Sequence, residues 1–385
     1  MQPKKNLTFK YGLLQGAYWI AYCSCLSFAM EFLLDKGFSA AVTGVILAVA
    51  CVLTTLAQPA LAAFAERNGK PGLRTIVIGG ALIAAACSLA MGLMSGPVVA
   101  LLFCVMSMII QGLYPFINSI AFAFINNGEK LNFGVGRSTG SVLFACFSSI
   151  TGMFVVKMGG NALAFLNLGT LALVVASCWA MGAPSETVRT RAVAEPTPLI
   201  EFFGRYRRFC VLLVGLMLSF FQQSIINTYL TQIFEGVGGN SVDKGIGLAI
   251  AAVCEMPTLV CFALLVKKFS IRSLMRFAAI FLTVKAVWFT VATSVVSLYF
   301  AHGLQMLGYA IYIPASVYYA NHLMAERDRV KGVTLMNIPL TLGGVFGSLL
   351  GGWLLSLIGL NGLLWLSTAV SAVGCVIIFF SLEDV

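Results

Sequence analysis

What the chain lacks is charge. Of its 385 residues 24 are Lys or Arg and 14 are Asp or Glu, so charged side chains make up 10%, against about a quarter in an ordinary soluble domain. A chain this poor in charge cannot give a globule of its size a polar surface. A mean hydropathy of +0.95 with 59% hydrophobic residues places it in a bilayer instead. Histidine is scarcer still: His302 and His322 are the only two, too few for a histidine-rich site, and no Ser–His–Asp or metal-ligand constellation accompanies them. The sequence therefore reads as a non-enzyme, with no cofactor and no metal. The 11 cysteines, among them Cys23, Cys51, Cys146 and Cys254, are scattered through apolar runs without ligand spacing or paired external positions. They read as small packing residues. "FGVGRSTG" (133–140) has neither the lysine nor the strand context of a phosphate-cradling loop.

Long hydrophobic runs are what is present. Twelve can be placed, at about 10–34, 40–64, 75–95, 98–125, 135–156, 162–183, 209–234, 245–266, 274–293, 296–323, 332–357 and 361–381, each near the roughly 20 residues needed to cross a bilayer. The first exceeds a signal core and lacks a convincing cleavage site, so it reads as a spanning helix. External connections such as "SGP" (95–97) leave no room for a folded domain. The longest hydrophilic stretch, "APSETVRTRAVAEPTPLIEFFGRYRR" (183–208), divides the chain. The expected organisation is an N-terminal six-helix bundle over 1–183, a cytoplasmic linker over 184–208 with a short interfacial helix near "LIEFFGRYRR", and a C-terminal six-helix bundle over 209–385. A weak internal repeat, "AERNGKPGLR" (65–74) against "VKKFSIRSLMR" (266–276), supports the division. The fold class is an all-α membrane protein, twelve transmembrane helices in two pseudo-symmetric six-helix bundles. Such halves point to a transporter with its site between them near mid-membrane.

The net charge of +10 follows the same topology. Lys36, Lys157 and Lys244 fall on one side of the alternating loops, Arg137 and Lys285 lie inside helices, and the remaining 19 Lys and Arg gather on the side of the N-terminal tail. By the positive-inside rule both termini are cytoplasmic, in a plasma (cell inner) membrane. The basic excess thus implies no nucleic acid; the expected partners are the bilayer and a small-molecule substrate, with the chain acting as a monomer.

Two of the rare charges need an explanation. Lys285, in "FLTVKAVWFTVATS" (281–294), and Glu255, in "AVCEMPTLV" (252–260), both fall mid-helix, where an ionisable group costs roughly 2.5–3.5 kcal/mol unless paired or wet. Facing one aqueous cavity, they would interact directly or through water. Attraction favours the ionised glutamate and desolvation its neutral form, the balance a proton-coupling acid requires. A static pair fixing two helices is the alternative reading; Glu31, near the outer end of the first helix, is a rival coupling acid. Polar stripes at helical spacing are aimed at the same cavity: Gln15, Tyr18 and Tyr22; Gln111, Tyr114 and Asn118; Gln223 and Asn227; and His302, Gln305, Tyr309, Tyr312, Ser316 and Tyr319. Any one of them could instead bond across packed helices. Gly344, Gly347 and Gly351 share a face suited to close packing.

The loop "QPALAAFAERNGKPGLR" (58–74) resembles the cytoplasmic signature of the major facilitator superfamily, with Glu66 in the usual aspartate position and basic residues, Arg67 and Arg74 among them, after it. It departs in Ala62, usually glycine, and in the inserted "KP". This resemblance implies a conformational loop held by charge pairing and dipole capping. "NFGVGRSTGSVLFA" (132–145) is similar to the fifth-helix motif of the oligosaccharide–proton symporter family, which includes the lactose permease and phenylpropionate-permease-like relatives. The likeness implies that Arg137, with Gly140 three residues on, lines the cavity, and that Phe144 stands where the sugar-stacking tryptophan would be. Glu255 matches a buried eighth-helix glutamate and Lys285 a buried arginine; Gln305 replaces the coupling histidine, and Gly308 the acid one turn later. The resemblance covers essentially the whole chain. It implies a proton-coupled symporter of a small organic solute, saccharide or glycoside-like, working by alternating access, with no cofactor and the proton gradient as driving force. Substrate contacts are then expected from Arg137, Phe144, Gln15, Tyr18, Tyr22, Asn118, Gln223, Asn227 and Gln305, and proton coupling from Glu255 and Lys285. A permease for an aromatic carboxylate such as a phenylpropionate, a drug or metabolite exporter, and a non-transporting sensor are the alternatives.

Overall fold

A backbone immersed in hydrocarbon must satisfy its own N–H and C=O groups, which leaves a chain of apolar runs the helix. The computed structural model describes residues 6–68, 72–182, 199–325 and 328–384, and among these the regular structure is wholly helical. Helix α1 (Leu7–Tyr22) passes through a π-helical turn, Cys23–Ser27, into α2 (Ala29–Asp35), the two rods meeting at 43°. Then follow α3 (Ala40–Asn68), α4 (Leu73–Leu93), α5 (Pro97–Asn126), α6 (Phe133–Met158) and α7 (Leu163–Met181). The short helix expected before the seventh span is α8 (Leu199–Arg205); most of the linker ahead of it lies outside the described residues. Next come α9 (Arg207–Thr228), α10 (Leu230–Glu235), α11 (Ser241–Lys268), α12 (Ile271–Val291), α13 (Val295–Gly303), α14 (Tyr309–Leu323), α15 (Arg329–Leu335) and α16 (Ile338–Ser381).

Among the described residues nine helices are long and apolar enough to span, and the bent α1–α2 pair makes a tenth. Helix α16 accounts for one more: its 44 residues would run about 66 Å if straight, twice a bilayer. Gly359, at φ 67° and ψ 178°, breaks it where the sequence separates two spans. The last is the expected helix 296–323, which is not continuous. It stops at Gly303, makes a 3₁₀ turn over Leu304–Met306 and restarts at Tyr309. Gly308 permits the break: its backbone turns at φ −96°, ψ −86°, and a Cβ there would stand 3.1 Å from the Leu282 nitrogen of α12.

The chain forms two compact units, 1–190 with 241–249, and 191–240 with 250–385. The first turns of α11 therefore group with the first unit, although the linker boundary would count them with the C-terminal bundle. In the first unit α1 and α6 approach through glycines. A Cβ at Gly16 would lie 2.1 Å from Leu143, at Gly136 2.3 Å from Tyr11, and at Gly140 2.4 Å from Trp19. The start of α11 meets α6 as closely: a Cβ at Gly152 would lie 2.2 Å from the Ser241 carbonyl, and Ser148 Oγ donates to the Gly245 carbonyl at 2.8 Å. In the second unit α9 packs on α16 through Gly343 and Gly347, whose Cβ atoms would lie 2.7 Å from Phe220 and Ser224. Gly351 extends this i, i+4 row against Tyr229. The expected face included Gly344 in place of Gly343; the carbonyl of Gly344 accepts from Ser224 Oγ at 3.1 Å.

Candidate functional site

The candidate residues fall into two polar clusters, one in each unit. The first is built on the α1–α6 contact. Because Gly136 and Gly140 bring α6 against Tyr11 and Trp19, Arg137 between them is carried onto α1 and α5. Its Nε donates to Tyr114 Oη at 2.9 Å and its Nη1 to Ser141 Oγ at 3.4 Å. Its guanidinium lies 4.8 Å from the Trp19 ring centre and 5.6 Å from that of Tyr114. Among the described residues no carboxylate reaches Arg137 within ion-pair distance. Beside it Gln15 Nε2 donates to Tyr11 Oη at 2.6 Å and to Asn118 Oδ1 at 2.8 Å, and Tyr11 Oη donates to the same Asn118 oxygen. Among the described residues, the buried Gln15 Oε1 and Trp19 Nε1 meet no hydrogen-bond partner.

Rings enclose the cation. Tyr18 stacks on Tyr114 at 5.6 Å, Tyr22 tilts against Trp19 at 5.1 Å, and Phe144 meets Trp19 edge-on at 6.0 Å. The structure thus brings Gln15, Tyr18, Tyr22, Asn118, Arg137 and Phe144 together, around a ring that sequence reasoning passed over. Trp19 is that ring. Its signal was positional, one turn after Gln15, as Tyr11 is one turn before it. Gln111, by contrast, donates to Thr54 and Ser107 at 3.3 and 3.0 Å, so it ties α5 to α3.

The second cluster is a chain of side chains from four elements. Lys285 on α12, 3% exposed, donates to Gln223 Oε1 of α9 at 3.3 Å and to Gln305 Oε1 of the 3₁₀ turn. Gln305 Nε2 in turn donates to Glu255 Oε1 of α11 at 2.8 Å. Thr258, three residues after Glu255, fixes the turn by donating to the Met306 carbonyl at 3.0 Å. Lys285 and Glu255, expected to interact directly or through water, are joined instead through the Gln305 amide. The helix break at 304–306 is what allows it. His302 is buried, stacked on Phe234 and edge-on to Phe289.

Other expected residues stand apart. Asn227 is exposed, one turn from Gln223. Tyr312 Oη donates to the Met336 carbonyl and Tyr319 Oη accepts from the Glu383 N–H, so both pack the second unit's core. Glu31 is 7% exposed and Lys244 2%; the lysine donates to both carboxylate oxygens at 2.8 and 2.9 Å. Lys244, a loop charge by the alternating-loop count, is instead buried at the start of α11. Arg74 lies 5.9 Å from the Trp179 ring. The side chains of Glu66 and Arg67 fall outside the described residues.

Comparison with known proteins adds the following. The sequence model of the MFS_1 like family matches residues 13–365. Maltose permease of Geobacillus stearothermophilus is 26% identical over 335 residues, covering 82% of this chain and 79% of the permease. Among solved structures, a mutant of the nucleoside transporter NupG matches with a TM-score of 0.84 at 12% identity, covering 98% of this chain and 100% of the other. The peptide transporter POT, also as a mutant, matches at 0.76 and 12%, over 98% and 94%. At such identities the likeness to solved structures is one of fold.

Proposed function

Because the chain belongs to the MFS_1 like family of secondary transporters, we propose that it is a proton-coupled symporter of a saccharide or glycoside-like solute, working by alternating access. The observation that carries this reading is the Arg137 cluster. A guanidinium held on Trp19 by Tyr114, with the amides of Gln15 and Asn118 alongside, offers donors, acceptors and an aromatic face within one set of packed side chains. Hydroxyl-rich rings use all three. The relative named maltose permease supports the same substrate class, as does the general resemblance to oligosaccharide–proton symporters. The alternative substrate is an aromatic carboxylate. What favours it is that Arg137 meets no carboxylate among the described residues, leaving a fork suited to a bidentate anion.

Coupling is assigned to Glu255. In the Lys285–Gln305–Glu255 chain it supplies the carboxyl group, bonded to Gln305 Nε2. Protonation cancels the charge that balances Lys285 and weakens the charge-assisted bond from Gln305. The ammonium is then uncompensated inside the second unit, which drives rearrangement or recruits an anionic group. Glu31, the rival, is engaged with Lys244. The setting proposed is the plasma membrane, with both termini cytoplasmic and the chain acting as a monomer.

The test is flux in proteoliposomes with labelled saccharides, glycosides, nucleosides and aromatic carboxylates under an imposed proton gradient. Uphill uptake of a saccharide or glycoside, with Glu255→Gln retaining exchange but losing accumulation, is the expected result. Uptake of carboxylates alone would replace the substrate class. Accumulation at wild-type levels in Glu255→Gln would remove Glu255 as the coupling acid. Binding without flux would make the chain a sensor, and outward pumping would make it an exporter.

A further inference from the structure

Away from both polar clusters, α4 and α7 border a groove of about 350 Å³. Ala81 and Ala85 line it from α4 and Ala172 and Ala176 from α7, each pair one turn apart, and Trp179 stands at one end. Alanines at this spacing cut a trench where larger side chains would have filled the surface. Trp179 is 70% exposed, so protein leaves most of its ring uncovered. At the same end lies Arg74, its guanidinium 5.9 Å from that ring and its buried Nε without a hydrogen-bond partner among the described residues. Among the described residues Arg74 pairs with no carboxylate.

We propose that this groove binds one anionic phospholipid, with an acyl chain in the α4–α7 trench and the phosphate at Arg74. Length agrees. At 1.5 Å per residue, Arg74 and Ala85 are separated by about 16 Å along α4, most of an extended acyl chain. Chemistry agrees as well: a phosphate accepts from the planar guanidinium fork, and Trp179 bridges the apolar trench and the polar head. A zwitterionic lipid brings its own cation beside the arginine, whereas an anionic one leaves the attraction unopposed.

The experiment is native mass spectrometry of the full chain, released from micelles holding equal amounts of phosphatidylglycerol and phosphatidylcholine with identical chains. The wild type is expected to retain one phosphatidylglycerol in preference, by about fivefold, the factor typical of one basic residue at a lipid surface. Arg74→Gln brings the ratio to unity, and Ala85→Phe, which fills the trench, lowers retention of both lipids. Equal retention by the wild type overturns the proposal, and so does an unchanged preference in Arg74→Gln. A lipid-free dimer would show that a second copy covers the groove, and overturns it too. The wild-type ratio stands even if a variant fails to fold, and it is independent of the transported substrate.

Discussion

Removing Lys244 should damage the protein more than removing Lys244 and Glu31 together. The pair is nearly dry, at 2% and 7% exposure, and Lys244 Nζ bonds both carboxylate oxygens while lying 4.7 Å from the Phe28 ring. Neighbouring backbone holds the geometry. The Gly160 position that packs on the Glu31 carbonyl would place a Cβ 2.4 Å from it, and Asp35 Oδ2 accepts from the Gly160 N–H at 2.6 Å. The backbone that carries Glu31 is therefore held in place. Lys244→Met leaves the carboxylate buried without its cation, a change that costs about 3–5 kcal/mol. Glu31→Leu strands the ammonium at a similar cost, offset in part by the Phe28 face, worth about 2 kcal/mol when desolvated. The double variant Glu31→Leu with Lys244→Met keeps the volume and removes both charges, and such replacements are neutral or stabilising.

Thermal unfolding of purified protein in one detergent measures this. At about 2 °C per kcal/mol, the low end for chains of 150–250 residues, Lys244→Met should lower Tm by roughly 6–10 °C. The double variant should lie within about 2 °C of the wild type or above it, on the same scale. The coupling then has the sign of a stranded charge. If the double variant loses as much as the two single variants added together, the cost lies in packing and the reasoning fails. Raised salt should leave the single-variant shifts unchanged, since buried charges are weakly screened.

Three further outcomes are expected. Arg137→Ala should weaken substrate binding by at least about tenfold, the loss of charge-assisted bonds worth roughly 1.5–3 kcal/mol, while leaving expression largely intact; Arg137→Lys should not rescue it, because the fork and the stacking on Trp19 are both lost. Equilibrium binding with the solute identified by flux is the check, and wild-type affinity in Arg137→Ala would contradict the role. Gly140→Leu should destabilise by about 1–3 kcal/mol through overpacking, since a Cβ there already stands 2.4 Å from Trp19, and adding Trp19→Ala should recover stability without recovering binding. For topology, a reporter fused after Val385 should stay cytoplasmic and tags within 35–39 or 236–243 should label from outside; the reverse pattern refutes the orientation.

The helical class was legible because an apolar run of spanning length has few other structures open to it in a bilayer. What escaped sequence reasoning were features that hydrophobic periodicity does not encode. The break at 304–306 sits in a run that keeps its apolar character through Gly303 and Gly308, and glycine alone does not announce a 3₁₀ turn. Trp19 was passed over because a tryptophan in a span counts as apolar, although Gly136 and Gly140 on α6, matched by Gly12 and Gly16 on α1, mark where two helices meet closely enough to seat it. Lys244 was assigned to a loop because it lies near the start of a span. Only the fold reveals that the start of α11 is covered by α2 and α6.

Gln305 shows why that turn matters chemically. Its carbonyl oxygen faces the ammonium of Lys285 and its amide nitrogen faces the carboxylate of Glu255, the single orientation in which both bonds are charge-assisted. Rotating the amide by half a turn would set N–H against ammonium and oxygen against carboxylate, unfavourable at both ends. An amide also does not titrate, so Gln305 conveys polarity between the two charges without carrying a proton. On the proposed coupling, a proton on Glu255 is not handed to Gln305, and what passes along the chain is the loss of orientation. With the carboxyl neutral, the flipped amide is penalised only at Lys285, so a single protonation loosens the contact that holds α11 to the turn and, through it, α12. A histidine in this position could have shared the proton. With Gln305 in its place, the coupling proposed for Glu255 would keep proton binding and charge balancing on separate residues.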